Sequence, residues 1–187
     1  MEPQIINYEL IGKGEYVQLE RLYYLDAKGV KRNWETVRRA NDASAVIIIA
    51  TITQENKILL VKQFRPPLGK YVLEFPAGLV DQGESPEKSA LRELKEETGY
   101  QGSIEKISCG TASSAGLTSG LIYFVSVNID NQLPENVEPS PDMQDGEDII
   151  TYKVKKSKVN DFIKEQIKQG VIIDSRLNAW ILGMDNE

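Results

Sequence analysis

The run AVIIIATI at residues 45–52 constrains the fold more than any other stretch of the chain. Its side chains are mostly β-branched, which favours extended backbone. The apolar character is continuous rather than alternating, as in a strand covered on both faces. A sheet buried on two sides needs a layer above and a layer below, so the expected architecture is a mixed sheet covered by helices. Other segments supply both parts. KILLVKQFRPP reads as a strand stopped by Pro66 and Pro67, and YVLEFPAG, LIYFVSVNID and DIITYKV read as further strands. SKVNDFIKEQIKQG and DSRLNAWILGM carry helical spacing. The first forty residues read as antiparallel strands, with EYVQLERLYYL returning through the DAKG turn at Gly29 into VKRNWETVRR. A Pro-rich acidic loop, NQLPENVEPSPDMQDGE, separates the last two strands.

Length and composition narrow the chemistry. The 187 residues fit one domain with a small appendage, and 41% apolar with 27% charged residues is ordinary for a globular chain. No run approaches the roughly 18 apolar residues of a membrane span, and the N-terminus shows no signal-peptide pattern. The lone Cys109 suits a reducing, cytoplasmic setting and is expected as a small buried residue in a strand. A net charge of −6 argues against a nucleic-acid-coating surface. Histidine is absent. Acid–base and metal chemistry therefore fall to carboxylates, which prefer hard cations such as Mg²⁺ or Mn²⁺.

Residues 78–100, GLVDQGESPEKSALRELKEETGY, read as a turn and a helix with Ser85 as N-cap, Pro86 in the first turn and Gly99 as the stop. Ala90, Leu91 and Leu94 form one stripe; Glu93, Glu96 and Glu97 fall on another face. Like charges at such spacings cost an isolated helix roughly 0.2–0.5 kcal/mol per pair. A solvated acidic face, with Arg92 pairing with Glu96, would account for them; so would a site for divalent cations.

Taken whole, Gly78, Glu84, Arg92-Glu93-Leu94, Glu96-Glu97 and Gly99 resemble the box of the Nudix hydrolases, which cleave a nucleoside diphosphate linked to another group. Tyr100 stands where a small aliphatic residue is usual. The resemblance implies an α/β/α sandwich around a mixed sheet, an α/β fold, with Glu93, Glu96, Glu97 and the carbonyl of Ala77 as Mg²⁺ ligands, Mn²⁺ being a substitute. It also implies that Gly78 permits close approach and that Arg92 orients the glutamates of the catalytic group.

RNWETVRR, LLVKQFRPP, LEFPAGLVDQGES, GLTSG and QDGED further resemble the branch of ADP-ribose pyrophosphatases and ADP-sugar diphosphatases. By that resemblance Trp34 stacks on the base beside Glu35 and Arg39, and Tyr16 occupies the place of a second stacking aromatic. Arg65 contacts phosphate, Leu79 and Ser114 line the substrate site, and Glu147 closes over the metals as base or ligand. On residues alone Trp34 could be core, Arg65 a surface ion pair, and Asp145, Glu147 and Asp148 solvated acids. Ala115 replaces a proline typical of ADP-ribose members, which leaves other nucleoside diphosphate sugars open as substrates, GDP-sugars among them. A non-catalytic nucleotide-sugar sensor is the competing class. The branch also implies a homodimer with exchanged N-terminal strands, so the chain is divided into an arm, residues 1–42, and a hydrolase domain, residues 43–187.

Overall fold

A computed structural model describes residues 1–143, 146 and 148–184. The chain opens with three antiparallel strands, β1 (Gln4–Lys13), β2 (Val17–Leu25) and β3 (Lys31–Arg39), which form a sheet of their own. The DAKG turn joins β2 to β3 as expected. Asp26 accepts the Lys28 and Val30 amides at 2.9 Å, and Gly29 takes a positive φ of 75°. Every residue of β1 is exposed.

The apolar run becomes β4 (Ala45–Ile52), and its neighbours follow in β5 (Lys57–Arg65), β6 (Lys70–Glu74) and β7 (Ala77–Leu79). Helix α1 (Pro86–Thr98) comes next, then β8 (Ser103–Ile107), β9 (Thr111–Ala112), β10 (Leu121–Ile129), α2 (Pro134–Val137) and β11 (Ile149–Lys155). Helix α3 (Val159–Lys168), β12 (Ile172–Ile173) and α4 (Ser175–Met184) end the described chain. The main sheet runs β12-β6-β5-β4-β10-β8, with β11 added to β5, β7 to β4 and β9 to β10. Pairing of β4 with β10 is parallel, whereas β4 with β5 and with β7 is antiparallel.

Both faces of β4 are covered, and its alternation sorts the core into two layers. Val46, Ile48, Ala50 and Ile52 pack with Ala90 and Leu94 of α1. Ile47, flanked by Ala45 and Ile49, packs with Val159 and Ile163 of α3 and Leu177 and Ile181 of α4. The result is the expected sandwich.

β4 is also where the site opens. Its end pairs with β5 through Thr51 and Ile52, while its beginning pairs with β7, Ile47 opposite Ala77. The strand after Pro76 is thereby laid beside α1.

Several local features differ from the sequence reading. Cys109 is exposed and lies beyond the end of β8, not buried in a strand. It follows Ser108, whose amide donates to Phe124 O at 2.9 Å and closes the pairing with β10. The long loop contains the short α2, anchored by buried Asn136, which accepts the Gln101 amide and donates to Gln101 O and Asp130 O. The N-terminal segment has a third strand, β1, and β8, β9 and β12 are too short or too polar to have shown a pattern.

Candidate active site

Helix α1 is fixed at both ends by local chemistry. Ser85 Oγ accepts the Lys88 amide at 3.4 Å, and Gly99, at φ +76°, donates its amide to Lys95 O. A Cβ on Gly99 would lie 2.5 Å from the Ser140 backbone nitrogen, so the helix end and the following loop are in close contact. The Asp142 amide donates to Glu96 O at 2.9 Å and keeps that loop along the last turn.

Arg92 is the hub of the acidic face. Its guanidinium donates to Glu93 at 2.8 Å, Glu96 at 3.0 Å, Glu84 at 3.2 Å and the carbonyl of Leu79 at 3.1 Å. Burial opposes its positive charge, but Glu84 and Glu93 outweigh that and hold it protonated well above its ordinary range. Glu84 receives the Ser89 hydroxyl at 2.6 Å; that bond, against partial desolvation and with help from Arg92, holds its carboxyl below the usual range. The repulsion expected of a Glu-rich helix is thus answered by one arginine that hydrogen-bonds four residues of loop and helix and also pairs with Asp81 at 3.5 Å.

Glu97 points differently. It is buried, 5% exposed, and accepts the Ala77 amide at 3.1 Å, which ties α1 to β7. Gly78 follows, and a Cβ there would stand 1.9 Å from Cδ of Glu93. Only glycine lets the Glu93 carboxylate lie against the β7 backbone. Glu93, Glu96, Glu97 and the Ala77 backbone are therefore brought to one junction.

Among the described residues no three acidic, histidine or cysteine side chains already form a closed cage. The donors are all oxygen, however, and the glycine cradle admits a carboxylate at the backbone, a set that fits a hard divalent cation. Glu147 and Asp145 lie outside the described residues. Asp148 is exposed and accepts the Tyr71 hydroxyl at 3.3 Å.

The residues expected to bind substrate fall into two groups. Tyr16, Arg39 and Leu79 line one cavity of about 480 Å³ together with Val37, Leu117 and Thr118. Trp34 stands apart, half exposed at 52%, with its indole N–H donating to Gly116 O at 3.0 Å. Glu35 is exposed and paired with Arg21 at 2.9 Å. Ser114 is exposed in the loop before Leu117, whose amide donates to Ser114 O. Arg65 is ion-paired with Glu74, Nε to Oε1 at 2.8 Å.

Two elements of this site escaped the sequence. One is Glu74, a carboxylate only 9% exposed between buried Leu73 and Phe75; an acid inside a short apolar strand was the available signal. The other is the clasp between β3 and the loop at 116–118. Leu117 O accepts both the Val37 amide at 2.8 Å and the buried Thr36 hydroxyl at 2.9 Å, beside the Trp34 bond.

The family pattern described as the NUDIX domain matches residues 42–162. The chain belongs to the Nudix family. It is similar to the ADP-sugar pyrophosphatase of Mus musculus, 37% identical over 191 aligned residues that span 96% of this chain and 86% of the mouse protein. It is also similar to the ADP-ribose pyrophosphatase of Saccharomyces cerevisiae, at 36% identity across 91% of this chain and 77% of the yeast one. A crystal structure of an ADP compounds hydrolase superposes with a TM-score of 0.68 over 88% of this chain and 84% of that one; at 24% identity it supports the Nudix fold alone. None of the described helices is long and apolar enough to cross a membrane.

Proposed function

We propose that this Nudix protein hydrolyses the pyrophosphate of ADP-ribose or a related nucleoside diphosphate sugar to a nucleoside monophosphate and a sugar phosphate. The observation that carries the reading is the junction of Glu93, Glu96 and Glu97 with the backbone of Ala77 and Gly78, next to a cavity lined by Tyr16, Arg39 and Leu79. The names of the mouse and yeast relatives point to the same substrate class.

Glu93, Glu96, Glu97 and the Ala77 carbonyl would hold Mg²⁺, or Mn²⁺ in its place. A metal bound there supplies charge neutralisation for the pyrophosphate and lowers the pKa of attacking water. Arg92 keeps Glu93 and Glu96 in fixed directions and is a positioning residue. Arg65, at the end of β5, offers a planar donor fork to a phosphate. Glu147 is proposed as the base that takes a proton from water. Hydrolysis then adds the hydroxide to one phosphorus, breaks the bridging P–O bond and returns a proton to the departing phosphate.

The arm, residues 1–42, is proposed to complete the base site of a second copy. In β2–β3 the Ala40 amide bonds Tyr16 O, while Trp34 pairs with Leu22. Six strand residues thus separate Trp34 from the Tyr16 level, roughly 20 Å, too far for the two rings to hold one base from the same chain. β1 buries no residue within its own chain, and Ile5, Tyr8, Leu10 and Ile11 are exposed on it. Both features support a homodimer with exchanged arms. A reducing compartment such as the cytoplasm suits the single exposed Cys109.

The test is incubation with Mg²⁺ and, separately, ADP-ribose, ADP-glucose, GDP-mannose and UDP-glucose, with products resolved. AMP formed fastest from ADP-ribose, and lost by roughly a thousandfold in Glu97→Gln, is the expected outcome. Faster cleavage of a GDP-sugar would move the preference to that class, with Ala115 and Tyr16 as the sites to examine. Tight binding without turnover of any of them would replace the hydrolase by a sensor.

A further inference from the structure

We propose that Glu74 is a positioning residue that holds the Arg65 guanidinium over the carboxylate helix, where it meets the pyrophosphate. The role rests on the hydrolase reading above and adds to it a residue outside the box and outside the expected substrate contacts.

Strand alternation decides where both side chains point. Ile58 and Leu60 of β5, Leu73 of β6 and Phe75 just after it pack in the core under α3 and α4. Leu59 packs in the core under α1. Arg65 shares the parity of Leu59, and Glu74 is opposite in parity to Leu73 and Phe75. Both therefore emerge on the α1 face.

Their register is offset. Glu74 lies opposite Val61, and Arg65 lies opposite Lys70. Four residues of strand, about 13 Å, separate the two levels. The 2.8 Å bond means that the Arg65 side chain runs back along the sheet toward α1, not outward from the strand end. Glu97 is near enough there to favour its charge.

Glu74 has no other task in the described structure. Glu74 is itself only 9% exposed and lies opposite buried Val61, so an apolar residue would pack at this position without desolvating a charge. The second arginine close to it, Arg176, is taken by Asp174 through its Nη1 at 2.9 Å and its amide at 2.8 Å. Glu74 bonds Arg65 through Nε, one of five N–H donors on that group. Burial outweighs the Arg65 bond and holds the Glu74 carboxyl above its ordinary range.

A double-mutant cycle tests this. Binding of ADP-ribose by calorimetry, and KM and kcat with Mg²⁺, are measured for wild type, Glu74→Gln, Arg65→Ala and the double variant. Mn²⁺ affinity and melting temperature are followed in each. Glu74→Gln is expected to weaken binding and raise KM about ten- to a hundredfold, the scale of a charge-assisted hydrogen bond, with a smaller change in kcat. In the Arg65→Ala background the same change is expected to add less than about twofold, and Mn²⁺ affinity to stay as in wild type. Glu74→Asp, which keeps the charge, is expected to recover part of the loss, and it carries the test if Glu74→Gln does not fold. Additive losses, unchanged binding in the Glu74 variants, or a fall in Mn²⁺ affinity would overturn the role. Wild type that binds ADP-ribose without cleaving it would count against the hydrolase reading alone, since the cycle is read in binding.

Discussion

Helix α1 and the N-terminal sheet are both rich in charge, yet they use it differently. On α1, Arg92 hydrogen-bonds three carboxylates and a carbonyl, and buried Glu97 is tied to the backbone of the preceding strand, β7. In the arm the ion pairs Arg21–Glu35 and Arg21–Glu9 lie on the surface. Exposed pairs of that kind add little to stability, because solvent screens them. The helix is cross-braced within one chain, whereas the arm displays apolar residues with nothing of its own to cover them. The contrast separates a junction braced within the chain from a surface that, in the homodimer proposed above, a second copy would cover.

The braced junction should fail at its tightest contact. Gly78→Ala places a methyl group on the Glu93 carboxylate, and a flexible side-chain end can move aside. The protein is expected to remain folded, with a stability loss of about 1–2 kcal/mol at most. Turnover is expected to fall about 10²–10³-fold, because Glu93 no longer reaches its place. Melting curves measured with kcat check this; equal activity would mean that Glu93 does not work from beside β7.

The arm should break in a different way, by complementation. Trp34→Ala and Tyr16→Ala are each expected to raise KM about tenfold, the cost of one base-stacking ring. If the two rings meet across two chains, mixing the variants and allowing exchange should restore about a quarter of the sites, one intact site in each mixed dimer. No recovery on mixing would place both rings in one subunit's site, against the strand geometry.

Legibility in the sequence follows the same division. The caps of α1, Ser85 and Gly99, act within a few residues, and both were readable. So was the doubly covered β4, whose apolar run states its own burial. What stayed hidden depends on pairing between distant parts. Trp34 reaches Gly116 across 82 residues of chain, and the facing of Arg65 toward Glu74 depends on the register of β5 with β6. Cys109 misled because composition favours burial for a lone cysteine, while its exposure is decided by where β8 stops. Glu93, Glu96 and Glu97 were legible as a cluster and Arg92 as the residue that orients them, but not that the Ala77 amide would take Glu97.

The smallest expected effect concerns acid. Glu84 is held below the ordinary carboxylate range mainly by the Ser89 hydroxyl, with Arg92 adding to it. A carboxyl depressed in the folded state lends stability that is fully present above its unfolded value, about 4.3, and is lost as pH falls through the lower folded value. Asp26 in the arm is depressed as well, chiefly by the Val30 amide, so the wild-type acid limb carries both groups. Glu84→Gln should make that limb shallower below about pH 4 and leave Asp26's share in place. Stability measured against pH for Glu84→Gln and Asp26→Asn tells the two apart. Only the first should also lower activity at neutral pH, since Glu84 takes one edge of the arginine that holds Glu93 and Glu96. A neutral-pH loss from Asp26→Asn of equal size would erase the distinction between the braced helix and the open arm.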